Sequence, residues 1–556
     1  MTASSNFSVA SYWTAVFAVS CLKLVLLHSY RSTDFEVHRN WLAITHSLPL
    51  DKWYYEETSE WTLDYPPFFA YFEWGLSQVA KYFDEGMLKV QNLNHATFET
   101  ILFQKLSVIV VDFLLAYAVL KCFEASSVLF LTSDKQKSKS ESGIPLETLF
   151  VLIFCNGGLF LVDQIHFQYN GFLFGIMLLS IAKMLEGKFY LSAFIFASLI
   201  NFKHIFLYVA PAFGVYLLRR KCFPPNTPLR IGSVISSVFS FAVIGVTVLA
   251  ASFGPFYQHI PQILKRLFPF QRGLSHAYWA PNVWAGYNTV DWFLNVALKK
   301  GKSSVTTGLV GEASLSVLPQ VLPLHTFILT VVCMMPALIA IWKRPTPLNF
   351  VQGVIATGWT SFMFGYHVHE KAILNVLIPF ALLSSHQPNL FFITLVSGTV
   401  SLFPLLFTPV EVVLKVLIAI LHFSLVCRFI PLSKFRIYEL FYLSGFAMVY
   451  LCENLGPILL PRFPFLPLIL VSDYCLIGIF YSYVKFYWNF WRSIPNNLNV
   501  TKSKYDSVPP TPKTPMQFAS DSPDSKTRNS PIKPIKRKRQ SNVPEPSTRV
   551  LRARNK

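Results

Sequence analysis

The chain has 556 residues and a formal net charge of +19, yet only 14% of its residues are charged and 53% are apolar. A soluble domain carries roughly 25% charged residues, so this composition, with a mean hydropathy of +0.43, excludes an ordinary water-soluble enzyme. Residues 492–556 hold +11 of the basic excess. The remainder is spread over short loops, which argues against a nucleic-acid surface and for cytosolic loops plus a basic tail.

Apolar runs long enough to cross a bilayer recur along the chain. Helices satisfy their own backbone hydrogen bonds in lipid, so the pattern predicts an all-α polytopic membrane protein with about 14 transmembrane helices. The first, 9–28, has no positive charge ahead of it and no small-residue cleavage site, and reads as a retained helix rather than a signal peptide. A long loop, about 29–102, follows. It is rich in Trp, Tyr and Pro, which suits helices lying on the membrane surface.

That loop carries two motifs. In Thr33-Asp34-Phe35-Glu36-Val37-His38-Arg39-Asn40-Trp41, a carboxylate at the lipid–water boundary is a candidate general base, because partial desolvation raises its pKa. In Asp64-Tyr65-Pro66-Pro67-Phe68-Phe69, two prolines stiffen the backbone ahead of an amphipathic stretch. The helix predicted over 103–122 contains Asp112, an intramembrane acid that needs a partner the sequence does not name. After the helix at 147–163 comes Asp163-Gln164-Ile165-His166-Phe167-Gln168-Tyr169-Asn170-Gly171. A bare turn would need only Asn-Gly, so the polar side chains His166, Gln168 and Asn170 are assigned to binding.

Helices are predicted over 170–185, 189–202, 204–218 and 231–252, the pair at 189–218 being interrupted by polar residues from Asn201 to His204. A second long aromatic loop, about 253–323, contains Arg266-Leu267-Phe268-Pro269-Phe270-Gln271-Arg272-Gly273 and then His276-Ala277-Tyr278-Trp279-Ala280-Pro281-Asn282. The guanidinium of Arg272 offers a planar fork suited to phosphate oxygens. Beyond helices at 324–342 and 348–365 lies Tyr366-His367-Val368-His369-Glu370-Lys371. HExxH spacing is absent, so this group reads as His and Lys around a phosphate, and no metal or cofactor is expected.

Five further helices are predicted, over 371–385, 389–406, 409–427, 437–454 and 464–486. The transmembrane domain is therefore placed at 1–491. Residues 492–556 form a basic, Pro/Ser/Thr-rich tail that cannot bury enough apolar area to fold. With a cytosolic N-terminus, Lys135 to Lys139, Arg219 to Lys221, Lys343-Arg344 and Arg428 to Arg436 all face the cytosol, as the positive-inside rule requires. Lys23 and Arg31, at the lumenal end of the first helix, run against it. Eight scattered cysteines without a CxxC suggest neither a disulfide framework nor a metal cluster.

Thr33-Asp34-Phe35-Glu36, Asp64-Tyr65-Pro66-Pro67, His166-Phe167-Gln168-Tyr169-Asn170 and Val368-His369-Glu370-Lys371, in this order, resemble the ER dolichyl-phosphate-glucose glucosyltransferases of lipid-linked oligosaccharide assembly. The resemblance runs from about residue 9 to about residue 490. Ala277-Tyr278-Trp279-Ala280-Pro281-Asn282, the run from Asp64 to Glu73 and the doubled His367/His369 are similar to the branch that adds the second α-1,3-linked glucose. The resemblance implies a GT-C fold, a multi-pass ER membrane location with a lumenal site, and dolichyl phosphate β-glucose as donor to a monoglucosylated dolichyl-diphosphate oligosaccharide. It implies Asp34 as the base. Arg272, His369 and Lys371 would neutralise the leaving phosphate, His166, Gln168 and Asn170 would shape the pocket with Asp64 supporting it, and His367 and Glu370 would join them in binding substrate. The alternatives are the first glucosyltransferase of the same pathway and, from another class, a secondary transporter, against which the lack of a repeat counts.

Overall fold

The computed structural model describes residues 7–130, 143–225, 227–268, 273–276, 279–298, 315–459, 461 and 465–492. These all fall within one unit, Met1–Asn499. Arg272, Ala277, Tyr278 and the basic tail lie outside the described residues. The regular elements among the described residues are all helices, apart from an isolated bridge pairing Ser275 with Val368.

Fourteen spans are not found. Among the described residues eight segments are long and apolar enough to cross a membrane: Val9–His28, Phe98–Leu129, Leu146–Ile165, Ile231–Phe256, Pro323–Lys343, Pro388–Leu405, Pro409–Cys427 and Leu466–Arg492. The other predicted runs are helical: Pro347–Phe364 is an unbroken helix of 18 residues, and the rest are shorter or interrupted. Asn170–Leu185 has 16 residues, about 24 Å at 1.5 Å per residue, against a hydrocarbon core of about 30 Å. The run at 371–385 is broken into Glu370–Ile373, Leu374–Phe380 and Ala381–Leu383. That at 437–454 is divided at Gly445, and that at 204–218 after Tyr208.

The spans differ in what covers them. Leu146–Ile165 and Pro388–Leu405 are largely buried by protein, whereas Ile231–Phe256, Pro323–Lys343 and Pro409–Cys427 are for the most part not buried by it. An apolar surface of that extent is stable only against lipid. The main core, which includes the fully buried Trp359 and the stacked pair Phe196/Phe213, fills the bundle.

A second core sits under the loop after the first span. Thr33–Ser47 is a helix and not an irregular loop: Ser32 caps it by accepting a hydrogen bond from the Asp34 amide at 3.1 Å, and Asp34 and Glu36 in its first turn suit the positive end of the helix dipole. Helical spacing then sends its polar side chains to different tasks. Arg39, fully buried, donates to both Glu36 oxygens at 2.9 and 2.6 Å and to the carbonyls of Met87 and Lys89. His38 meets Glu73 Oε1 at 2.7 Å inside a cage of Trp41, Phe69, Phe167 and Tyr169. The pair of prolines begins the next helix, Pro67–Ala80, where a missing N–H costs nothing. These contacts fix the first turn of Thr33–Ser47, and Asp34 with it.

Candidate functional site

The segment between the spans Leu146–Ile165 and the helix Asn170–Leu185 is held at several points. Lys105 donates to the carbonyls of Gln164 at 2.6 Å and Ile165 at 3.3 Å, and Ser32 Oγ donates to the carbonyl of His166. Phe167 adopts φ +74°, a left-handed conformation costly for a bulky side chain. The resulting tight turn lets His166 and Gln168, two residues apart, both reach Asp34.

Three donors converge there on one oxygen. Gln168 Nε2 lies 2.6 Å, Lys371 Nζ 2.7 Å and His166 Nε2 3.2 Å from Asp34 Oδ2. Burial pushes the Asp34 carboxyl up, but the Lys371 charge, the His166 hydrogen bond and charge, and the Lys371 hydrogen bond hold it well below the usual carboxylate range. This corrects the expectation of a raised pKa: desolvation is present, and the paired cation outweighs it. His166 is pushed down by burial and by Lys371, against the pull of Asp34, so at neutral pH it is an uncharged imidazole.

Behind this carboxylate, Asn170 Nδ2 donates to Gln168 Oε1 at 2.7 Å and to Asp163 Oδ1 at 2.8 Å, and the Gly171 amide donates to Asp163 Oδ2 at 2.6 Å. Lys203 Nζ donates to Asn170 Oδ1 at 3.1 Å and sits 4.9 Å from the centre of the Tyr65 ring. Burial and the Lys371 charge bring the Lys203 amine down to about 8, against the opposing pull of Asp163, Asp34 and Asp64. Asp64 thus acts on the site through its charge.

A second cluster adjoins the first through the chain itself, residues 370 and 371. The backbone amide of His367, itself left-handed at φ +50°, donates to the Leu274 carbonyl at 2.9 Å, and His367 Nδ1 lies 2.7 Å from the Gly273 carbonyl. Those contacts bring His276 over His369, ring centres 3.9 Å apart, and place its Nδ1 3.4 Å from the fully buried Glu370. Burial pushes the Glu370 carboxyl up, but His276 and Lys371 lower it overall. His276, His369 and Glu370 bring ligand atoms within 4.8 Å of one another, the chemistry of a metal-binding trio. Linear spacing concealed it, because His276 lies far from the other two in the chain.

Of the residues singled out from sequence, Asp34, His166, Gln168, Asn170 and Lys371 meet in one network. His367, His369 and Glu370 form the neighbouring cluster, Asp64 acts at longer range, and Arg272 lies outside the described residues. Lys203, Asp163 and His276 were not assigned. Their signals were there: Lys203 sits in the polar break from Asn201 to His204, and the other two within motifs already marked. Asp112 finds its partner in Lys23, at 2.7 Å. All eight cysteines are free.

The arrangement offers an ionised carboxylate beside two ammonium groups and a neutral imidazole, which can take a proton from a hydroxyl while neutralising an anionic leaving group. The chain matches the ALG6, ALG8 glycosyltransferase family over residues 19–486. It is similar to a probable dolichyl pyrophosphate Glc1Man9GlcNAc2 alpha-1,3-glucosyltransferase of Drosophila melanogaster, at 48% identity over 86% of this chain and 94% of the relative. Proteins named dolichyl pyrophosphate Glc1Man9GlcNAc2 alpha-1,3-glucosyltransferase from Bos taurus and Arabidopsis thaliana are 46% and 42% identical, over 86% and 84% of this chain and 95% and 96% of theirs.

Proposed function

The chain belongs to the ALG6, ALG8 glycosyltransferase family, and from that premise we propose that it transfers glucose, with inversion, onto the monoglucosylated lipid-linked oligosaccharide of the ER, with Asp34 as general base. The donor is dolichyl phosphate β-glucose. The acceptor's 3-hydroxyl oxygen attacks C1, the bond from C1 to the phosphate oxygen breaks, and its electron pair leaves with dolichyl phosphate. The hydroxyl proton passes to Asp34, and a β-linked donor yields an α-1,3 product.

One observation carries this reading. Lys371, Gln168 and His166 all contact Oδ2 of Asp34, which leaves Oδ1 as the acceptor for the substrate's proton. The depressed pKa keeps Asp34 ionised across the physiological range, and a sugar hydroxyl becomes acidic only as its oxygen bonds to C1, so the proton moves in the transition state. Lys371 and Lys203 flank the carboxylate and supply charge for the departing phosphate; Arg272, read from sequence, joins them. The site opens to the ER lumen, where the donor presents its sugar.

Asp34→Asn keeps shape and hydrogen bonds but cannot take the proton, so lipid-linked oligosaccharide should stall with one glucose and the purified variant should lose turnover by about 10²-fold or more. Near-normal turnover by that variant rejects the assignment. Activity should survive EDTA. A loss restored by manganese or magnesium would instead give His276, His369 and Glu370 a metal.

A further inference from the structure

We propose that Asp163 is a positioning residue for the transfer reaction, fixing the polarity of an amide relay through Asn170 and Gln168 that holds the carboxylate of Asp34. The inference rests on the reading of Asp34 as base.

The argument follows from what each group can donate and accept. An ionised carboxylate only accepts hydrogen bonds, an ammonium only donates, and a primary amide does both, one at each end. Asp163 receives Asn170 Nδ2 at 2.8 Å, which turns the NH2 of that amide toward Asp163 and its oxygen toward Lys203, at 3.1 Å. The remaining proton on the same nitrogen points to Gln168 Oε1, at 2.7 Å. With its oxygen so occupied, Gln168 presents its own NH2 to Asp34 Oδ2, at 2.6 Å. Asp163, both of whose oxygens accept N–H donors, together with Lys203 and Asp34 thus determines the orientation of two amides, and neither amide can turn over alone without setting like poles against each other.

Asp163 is itself locked. It is buried, and its other oxygen accepts the Gly171 amide at 2.6 Å. A Cβ at Gly171 would collide with the carboxylate of Asp112. The effect on Asp34 is specific: Oδ2 stays engaged by Gln168 beside Lys371 and His166, which holds the plane of the carboxylate and leaves Oδ1 toward the substrate.

The test uses the full-length protein in lipid nanodiscs with dolichyl phosphate glucose and monoglucosylated lipid-linked acceptor. Asp163→Asn should lower kcat by about tenfold or more, part of the ~10²–10⁴-fold that a positioned base contributes, and leave both KM values within about twofold. The acid limb of the kcat profile should move to higher pH, because Asp34 exchanges an N–H partner for an amide oxygen, which disfavours its charged form. The double variant Asp163→Asn/Asn170→Asp separates orientation from packing. It retains a hydrogen bond between the two positions and an acceptor facing Lys203, yet reverses the polarity delivered to Gln168. Its kcat should stay low, and it is the variant to read where Asp163→Asn alone does not accumulate. Recovery of kcat in the double variant, or an unmoved acid limb in Asp163→Asn, overturns the relay. Turnover persisting in Asp34→Asn would instead overturn the base reading on which the relay rests.

Discussion

Lys203 shows how a lone charge acquires a role from its surroundings. In sequence it is one lysine in a polar interruption of apolar helix. In the fold it donates to Asn170, lies on the Tyr65 ring and feels Lys371 and three carboxylates. An amine brought down to about 8 is half neutral at that pH, so its charge, and with it the phosphate contact proposed for it, fade as pH rises further. The kcat/KM for dolichyl phosphate glucose should therefore fall above pH ~8, since that ratio reports the free enzyme. Lys203→Arg, charged throughout, should remove the alkaline limb even if its activity at pH 7 is lower. A limb that persists unchanged in that variant would free Lys203 of the role. At this scale the sequence was most legible where polar residues cluster: Asp34, His166, Gln168, Asn170 and Lys371 stand in motifs, and they meet. It was least legible where a single residue from a distant segment completes the group, as with Lys203 and His276.

Among helices, the pairing of Lys23 with Asp112 resolves two puzzles together. Lys23 stood against the positive-inside rule and Asp112 stood in the membrane without a partner; they lie 2.7 Å apart, both buried, with Gln164 Nε2 a further 2.9 Å donor to Asp112. A lysine consumed in a buried ion pair between the first span and Phe98–Leu129 is a packing element, and does not report on which side of the membrane its helix begins. Removing one partner strands the other charge in an apolar interior, at a cost of about 3–5 kcal/mol. Lys23→Leu should therefore lower the thermal midpoint in detergent sharply, and Lys23→Leu/Asp112→Leu should recover most of the loss. If the two single substitutions instead proved additive, the pair would carry no coupling.

For the molecule as a whole, the sequons Asn6-Phe7-Ser8 and Asn499-Val500-Thr501 offer a test of sidedness; Asn6, the second sequon and the loop near Ser303 lie outside the described residues. If both ends of the chain are cytosolic, Asn6 and Asn499 should remain unglycosylated, while a sequon engineered near Ser303 should be modified in microsomes. Glycan on Asn499 would place the C-terminal end in the lumen and overturn the proposed orientation.

The sequence alone determined that this is a helical membrane protein of one glucosyltransferase family, because a scarcity of charge, spans of apolar residues and polar motifs in fixed order are all local features. It overcounted the spans, since an apolar run records burial without saying whether lipid or protein does the burying. Runs such as 371–385 and 437–454 are apolar yet broken into shorter helices. Only the tertiary structure decided the protonation of Asp34, because desolvation is foreseeable from a position at the membrane boundary while the cation that outweighs it, Lys371, comes from 337 residues along the chain. Electrostatic environments are sums over neighbours in space, and folding chooses the neighbours.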